Sequence, residues 1–374
     1  MTSAVVIQLV GGFVAASCAL VGTFLVLRRM ALLGDAISHA VLPGIVIAFL
    51  LTGSRAALPM VLGASALGVV TVFLVGVLNR SRRLYEDTSI GVVFPALFSV
   101  GVILVSRYAS QVDLDLDCVL HGEIGLAPFD TLIIGGQSFG SKALWVTGGT
   151  LLLDLALVLL LYKELKIASF DPDLAAAVGF SPLLLHYLLM SAVSVTVVGS
   201  FESVGAILVV AMLVVPAATA YLFTNRLSTM LLLAVGIGVA SSSAGYHFAR
   251  WYDCSIAGAM AAAAGGFFVL GLLLSPRNGL IARAYVTKRL RERLNEQLVL
   301  LHLKRHGEAF PPPRASRTES VQERFGWSPS RWRHVVRRLE EQGLVERVGE
   351  DLQLTAAGAR ALEQTGTSVL AHCP

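Results

Sequence analysis

Charged side chains are scarce in this chain. Asp, Glu, Lys and Arg make up 14% of its 374 residues, against about 25% in an ordinary soluble domain, so a water-bathed globule is excluded for most of its length. Cysteine is sparse as well. Cys18, Cys118, Cys254 and Cys373 stand far apart with no CxxC pair, which removes a thiolate metal site and a dithiol redox motif and leaves a structural disulfide without support. A phosphate-binding loop is also missing, because its nearest approach, 135–142, interposes Ser141 between Gly140 and Lys142. Any nucleotide hydrolysis belongs to another chain. What fills the composition is apolar: 55% hydrophobic residues and a mean hydropathy of +0.72 are the values of an integral membrane protein.

Apolar runs long enough for a hydrocarbon core of roughly 30 Å fall near 4–27, 35–52, 57–78, 89–106, 143–162, 184–199, 203–224, 229–248 and 256–274. The first has no basic leader and exceeds a signal peptide's core, so it reads as a retained helix. The run at 184–199 is the shortest, and without it the count falls to eight. Arg28, Arg29, Arg80, Arg82, Arg83, Lys163, Lys166 and Arg226 lie in alternate loops, whereas the other loops hold only Arg55, Arg107, Lys142 and Arg250. The positive-inside bias therefore sets the N-terminus outside and the C-terminus in the cytoplasm.

Past Ser275-Pro276 the chain changes character. Residues 277–374 carry 17 Lys and Arg against 11 Asp and Glu, while the first 276 residues carry 12 against 14. A soluble cytoplasmic module is expected there. It opens on an amphipathic helix over about 284–306, with Leu290, Leu294, Leu298 and Leu301 at helical spacing. Pro311-Pro312-Pro313 makes a stiff linker. A short helix at 318–325 follows, then a helix capped by Ser328 and stopped by Gly343. Strands at 344–348 and 352–355 around Gly349-Glu350-Asp351, and a closing helix from Ala356, complete a winged-helix pattern. The expected organisation is an all-α polytopic membrane domain over 1–276, the amphipathic helix and linker over 277–313, and the rest of the winged helix over 314–374, with the module's start as early as 285.

Polar residues inside apolar runs are costly and default to functional hypotheses. Asp35 and His39, in Gly34-Asp35-Ala36-Ile37-Ser38-His39-Ala40, stand four apart, which puts carboxylate and imidazole on one helix face where a single ion reaches both. The competing reading is a helix cap with a core histidine. Asp154 lies within a span with no partner evident from sequence. Glu202 sits at a turn where water can satisfy it, and His186 and His247 lie near span ends. The acids Asp113, Asp115, Asp117 and Glu123, with His121, form an outer segment that reads as a cation attractor or as a half-buried strand.

Three segments taken in order, 34–44, Gly205 to Ala220, and Asp253-Cys254-Ser255-Ile256-Ala257-Gly258, resemble the permease subunits of ABC-type importers for manganese, zinc and iron. The resemblance covers residues 5–280. It implies that Asp35 and His39 line the path and contact the metal, that a second permease (homo- or heterodimer) brings another such pair, and that an ATP-binding-cassette ATPase and an extracytoplasmic metal-binding protein are partners. It implies no permanently bound cofactor and no enzyme activity in this chain, only transport of Mn²⁺, Zn²⁺ or Fe²⁺ across a bacterial inner membrane. The run Ser169, Phe170, Asp171, Pro172, Asp173 and on through Ala176 to Gly179 resembles the segment that docks into the ATPase. Asp171 or Ser169 can cap a short helix there, Pro172 can begin it and Gly179 can end it. The tail resembles the metal-dependent repressors of the diphtheria-toxin-repressor type. Its Arg331, Arg333, Arg337 and Arg338 form a face for phosphate or a regulatory contact, with membrane lipid or a partner subunit favoured over nucleic acid. Two other readings are a proton-coupled secondary metal transporter using Asp154 and Glu202, and a membrane-tethered, metal-responsive transcription regulator.

Overall fold

A computed structural model of the chain describes residues 2–53, 57–80, 86–108, 124–134, 137–276, 279–307, 326–348 and 351–362. They form two compact units, Met1–Gly279 and Leu280–Pro374. The acidic segment around Asp113 to Glu123 and the short helix expected at 318–325 lie outside the described residues.

In the first unit the helices are α1 (Ser3–Leu27), α2 (Leu32–Thr52), α3 (Ala57–Arg80), α4 (Glu86–Tyr108), α5 (Lys142–Leu160), α6 (Tyr162–Phe170), α7 (Pro172–Ala177), α8 (Pro182–Val204), α9 (Ala206–Phe223), α10 (Leu227–Tyr252) and α11 (Ile256–Leu274). Nine of them, all but α6 and α7, are long and apolar enough to cross a membrane among the described residues. The span that the sequence left weakest becomes α8. Ser181 accepts a hydrogen bond from the Leu184 backbone N–H and Pro182 occupies the first turn, so the helix starts two residues early and runs on to Val204. A short antiparallel hairpin, β1 (Thr131–Ile134) and β2 (Gln137–Ser141), precedes α5, and its strands add to the all-α expectation.

Apolar residues wrap fully around α1, and a helix of that kind belongs inside a bundle. It packs against α5, α8, α9 and α10, burying Val10, Val14, Val21, Phe24 and Leu25 completely. On one side α2 packs against α3 and α4, and α3 against α8; on the other α9, α10 and α11 pack together. Leu62, Phe73, Ile103, Leu152, Leu159 and Leu232 stay more than half exposed on the outer faces, which suits hydrocarbon and not water.

Several of the polar groups that enter the bundle are satisfied on their own helix. The hydroxyls of Thr23, Thr71, Thr147, Thr219 and Ser241 each donate to the carbonyl four residues back on their own helix, as an environment without water demands. Asp154 is different. Fully buried on α5, it accepts at Oδ2 from Ser17 of α1 and, at 2.7 Å, from Thr196 of α8, so one carboxyl oxygen ties three spans together. Its partners lie far away in sequence, which is why sequence alone leaves it unassigned.

The second unit contains α12 (Leu280–Gly307), α13 (Pro329–Glu341), the antiparallel pair β3 (Val345–Val348) and β4 (Asp351–Leu354), and helical backbone at 356–362. Ser328 caps α13, accepting from the Arg331 backbone N–H. Val299, Leu300 and Leu303 of α12 meet Trp332, Val335, Val336 and Leu339 of α13, and Val345 and Leu352 close the core.

Ser17→Ala and Thr196→Val should each lower stability by about 1 kcal/mol, the scale of a buried interhelical hydrogen bond in a membrane, when unfolding is followed by detergent titration. In an Asp154→Leu background the same changes should cost nothing, and equal losses in both backgrounds would place the effect elsewhere.

Candidate functional site

The first motif forms the N-terminal turns of α2. Ala36, Ile37 and Ala40 are buried, Asp35 is exposed, and Ser38 returns its hydroxyl to the Gly34 carbonyl at 2.8 Å. Helical backbone runs unbroken through 35 and 39, so the two residues share a face by geometry. Pro43, inside the helix, has no N–H for the carbonyl four residues back, which belongs to His39. The motif therefore ends on a weakened helical turn, and Gly101 of α4 approaches closely there, where a Cβ would meet the Pro43 ring.

The second motif builds α9. It starts at Gly205, whose φ of +81° suits a residue without a side chain, and Leu213 at its centre is fully buried. A Cβ added at Gly22 of α1 would run into the Leu213 backbone, and one at Gly34 of α2 would run into the Leu213 side chain. The two motifs thus meet through one residue that sequence reasoning did not single out. The third motif is the turn between α10 and α11. Asp253 takes a left-handed conformation (φ +53°), the Cys254 N–H returns to the Ala249 carbonyl, and Ser255 caps α11 through the Gly258 N–H.

The segment after α6 folds as a capped helix of six residues. Asp171, not Ser169, is the cap, accepting from the Leu174 N–H at 2.9 Å, with Pro172 in the first turn. Gly179 at φ +99° ends it, with its N–H on the Ala176 carbonyl and the Phe180 N–H on that of Ala175. Only Ala175 of this helix is buried, against Ala168 and Leu185. Phe170, Asp171, Asp173, Leu174, Ala176 and Val178 point outward. Ser169 instead accepts from Arg28 Nε at 3.1 Å, joining the end of α1 to the turn that enters α7. Burial lowers the Arg28 pKa from its ordinary value, yet an arginine keeps its charge in a protein. Arg28, Ser169, Pro172, Pro182, Leu183 and His186 line a groove of about 480 Å³.

At the other end of the bundle, Lys142 at the start of α5 bridges Glu202 of α8 at 2.5 Å and Asp130 at 3.8 Å. Glu202, half exposed and so still open to water as expected, is also held by a cation. His247 lies 3.3 Å from the Gln8 side chain. Among the described residues no three His, Cys, Asp or Glu gather into a metal-sized cluster.

In the second unit the four arginines of α13 divide. Arg338 pairs with Glu292 at 2.7 Å and Glu296 at 3.2 Å, and Arg331 donates to Asn295 at 2.7 Å while stacking 4.9 Å from the Trp327 ring. Both bind α12. Arg337 pairs with Glu341 at 2.8 Å on an open face and Arg333 folds onto the Pro329 carbonyl.

Apolar spans carrying these motifs have known relatives. The chain matches the ABC 3 transport family over residues 1–275, and it belongs to that family. It is a multi-pass membrane permease and not an enzyme. It is 51% identical over 273 residues to the manganese transport system membrane protein MntD of Bacillus subtilis, covering 73% of this chain and 92% of that one. It is 43% identical over 352 residues to the zinc transport system membrane protein TroD of Treponema pallidum, covering 94% and 96%. That match is longer than the whole first unit, so similarity extends into the second. The structure of PsaBC from Streptococcus pneumoniae in complex with Fab superposes with a TM-score of 0.62 at 30% identity, over 74% of this chain and 94% of that one.

The contacts at Leu213 separate two kinds of close approach. Gly34→Ala meets the end of a side chain, so Leu213→Ala should recover part of its lost thermal stability. Gly22→Ala meets backbone, costs at least about 2 kcal/mol by overpacking, and should gain nothing from Leu213→Ala. Rescue of both, read by thermal melting in detergent, would contradict the packing described.

Proposed function

We propose that this chain is the permease subunit of an ATP-driven importer of a divalent transition metal, in a bacterial inner membrane. Its membership of the ABC 3 transport family over 1–275, with Asp35 and His39 in the first turns of α2, carries the reading. Relatives named for manganese and for zinc favour those ions as cargo, and Fe²⁺ suits the same donors. Imidazole with carboxylate binds such ions better than it binds Ca²⁺ or Mg²⁺, which prefer all-oxygen shells.

One chain offers two donors, and such ions take four or more ligands. A second permease, facing the first, would bring the set to two carboxylates and two imidazoles. A metal-binding protein delivers the ion outside. The pairs hold it briefly, and closure of an ATPase, transmitted through 169–179, alternates access. The chain's own contribution to that step is stiffness: α7 is fixed at its start by the Asp171 cap and at its end by Gly179, and α6, which leads into it, is tied to the end of α1 by the Arg28–Ser169 bond. The charge bias of the loops supports an N-terminus outside and a cytoplasmic tail. Within that tail, a winged-helix module following the linker would act as a regulatory contact. The engagement of Arg331 and Arg338 with α12 leaves only part of the basic face for phosphate, which favours a partner or lipid over DNA.

Cells expressing the chain with its ATPase should accumulate Mn²⁺, Zn²⁺ or Fe²⁺. Asp35→Ala or His39→Ala should abolish uptake at normal membrane levels. Uptake at the wild-type rate by either variant would remove the substituted residue from the path. Asp171→Ala, which costs the cap about 1 kcal/mol, should lower uptake several-fold while ion binding by the permease persists; loss of binding instead would separate α7 from coupling.

A further inference from the structure

Five residues separate helix α12 from the end of α11, and α12 has two apolar faces. Val299, Leu300 and Leu303 fill the core of the second unit. Leu290, Leu294, Leu298 and Leu301 recur at intervals of four, four and three on the other side, and each is 43–56% exposed. An apolar stripe of this length is costly in water and calls for an occupant.

Charge identifies it. The helix carries seven Lys and Arg against two Glu. Both acids are bound to Arg338 of α13, and so turn away from the stripe. Exposed arginines accompany the leucines: Arg283 stands two turns before Leu290, Arg291 three residues before Leu294, Arg293 three after Leu290, and Arg305 four after Leu301. A second copy laid on this face would set arginine against arginine, with no carboxylate to relieve them. A bilayer surface bearing anionic headgroups supplies apolar depth to the leucines and negative charge to their flanks.

We propose that α12 lies in the plane of the membrane interface, its leucine stripe in the acyl boundary and its arginines on anionic phospholipid. The second unit would then respond to membrane charge. The proposal rests on the reading of the chain as a membrane permease, but not on its metal or its orientation, since a nanodisc offers both leaflets.

The test places the photo-crosslinker benzoylphenylalanine at position 294 of the full chain, in nanodiscs containing phosphatidylglycerol or phosphatidylcholine alone. Mass spectrometry should find lipid adducts in the first. They should fall at least about tenfold in the second and in an Arg291→Gln, Arg293→Gln, Arg305→Gln variant, since each surface arginine contributes about a factor of five. The same probe at exposed Gln353 should give none in either. Chain-to-chain adducts that form whatever the lipid would assign the stripe to a second copy and overturn the proposal. So would adducts of equal yield in both lipids, or none in phosphatidylglycerol. Metal uptake is read separately, so its failure would leave the adduct pattern interpretable and would count against the importer alone.

Discussion

Leu213 lies where three spans meet. Its backbone faces Gly22 of α1 and its side chain occupies the space beside Gly34 of α2, so the turn that begins the first motif is packed against α9. In a bilayer, helices gain nothing from apolar contact that lipid would not also give, so close approach at small residues is what holds them. The rest of the arrangement follows from that contact. Glycine at 22 and 34 lets α1, α2 and α9 approach at Leu213 without placing a polar group in lipid.

The same economy governs the polar residues. The hydroxyls of Thr23, Thr71, Thr147, Thr219 and Ser241 bond within their own helices, and the buried acid Asp154 is held by hydroxyls from two other spans. Its role in the fold is to register α1, α5 and α8. At the α6–α7 end, Arg28 extends that registry to the turn entering α7 through Ser169. A push on α7 therefore has a bonded route to α1, the helix on which α9 packs at Gly22.

Much of this was legible in the sequence, for reasons that differ by element. The spans are readable because a run of about twenty apolar residues has one use. The α7 cap is readable because Asp-Pro and a following glycine each have local conformational consequences, although the choice between Asp171 and Ser169 needed the Leu174 N–H. Asp154 was visible as an anomaly but not as a clasp, since Ser17 and Thr196 are ordinary residues at a distance. Leu213 carried no signal, because what matters there is backbone proximity to two glycines. The leucine stripe of α12 was found as a period, but periodicity does not say which of two apolar faces is covered. Packing against Trp332 and Leu339 decides that.

The central claim is that the imidazole of His39 touches the transported ion. Pulsed electron paramagnetic resonance of Mn²⁺ bound to the assembled, full-length permease measures this directly. The account predicts nitrogen modulation from a coordinated imidazole in the wild type and its loss in His39→Ala. Bound Mn²⁺ without nitrogen coupling in the wild type, or with coupling that survives the substitution, would contradict it.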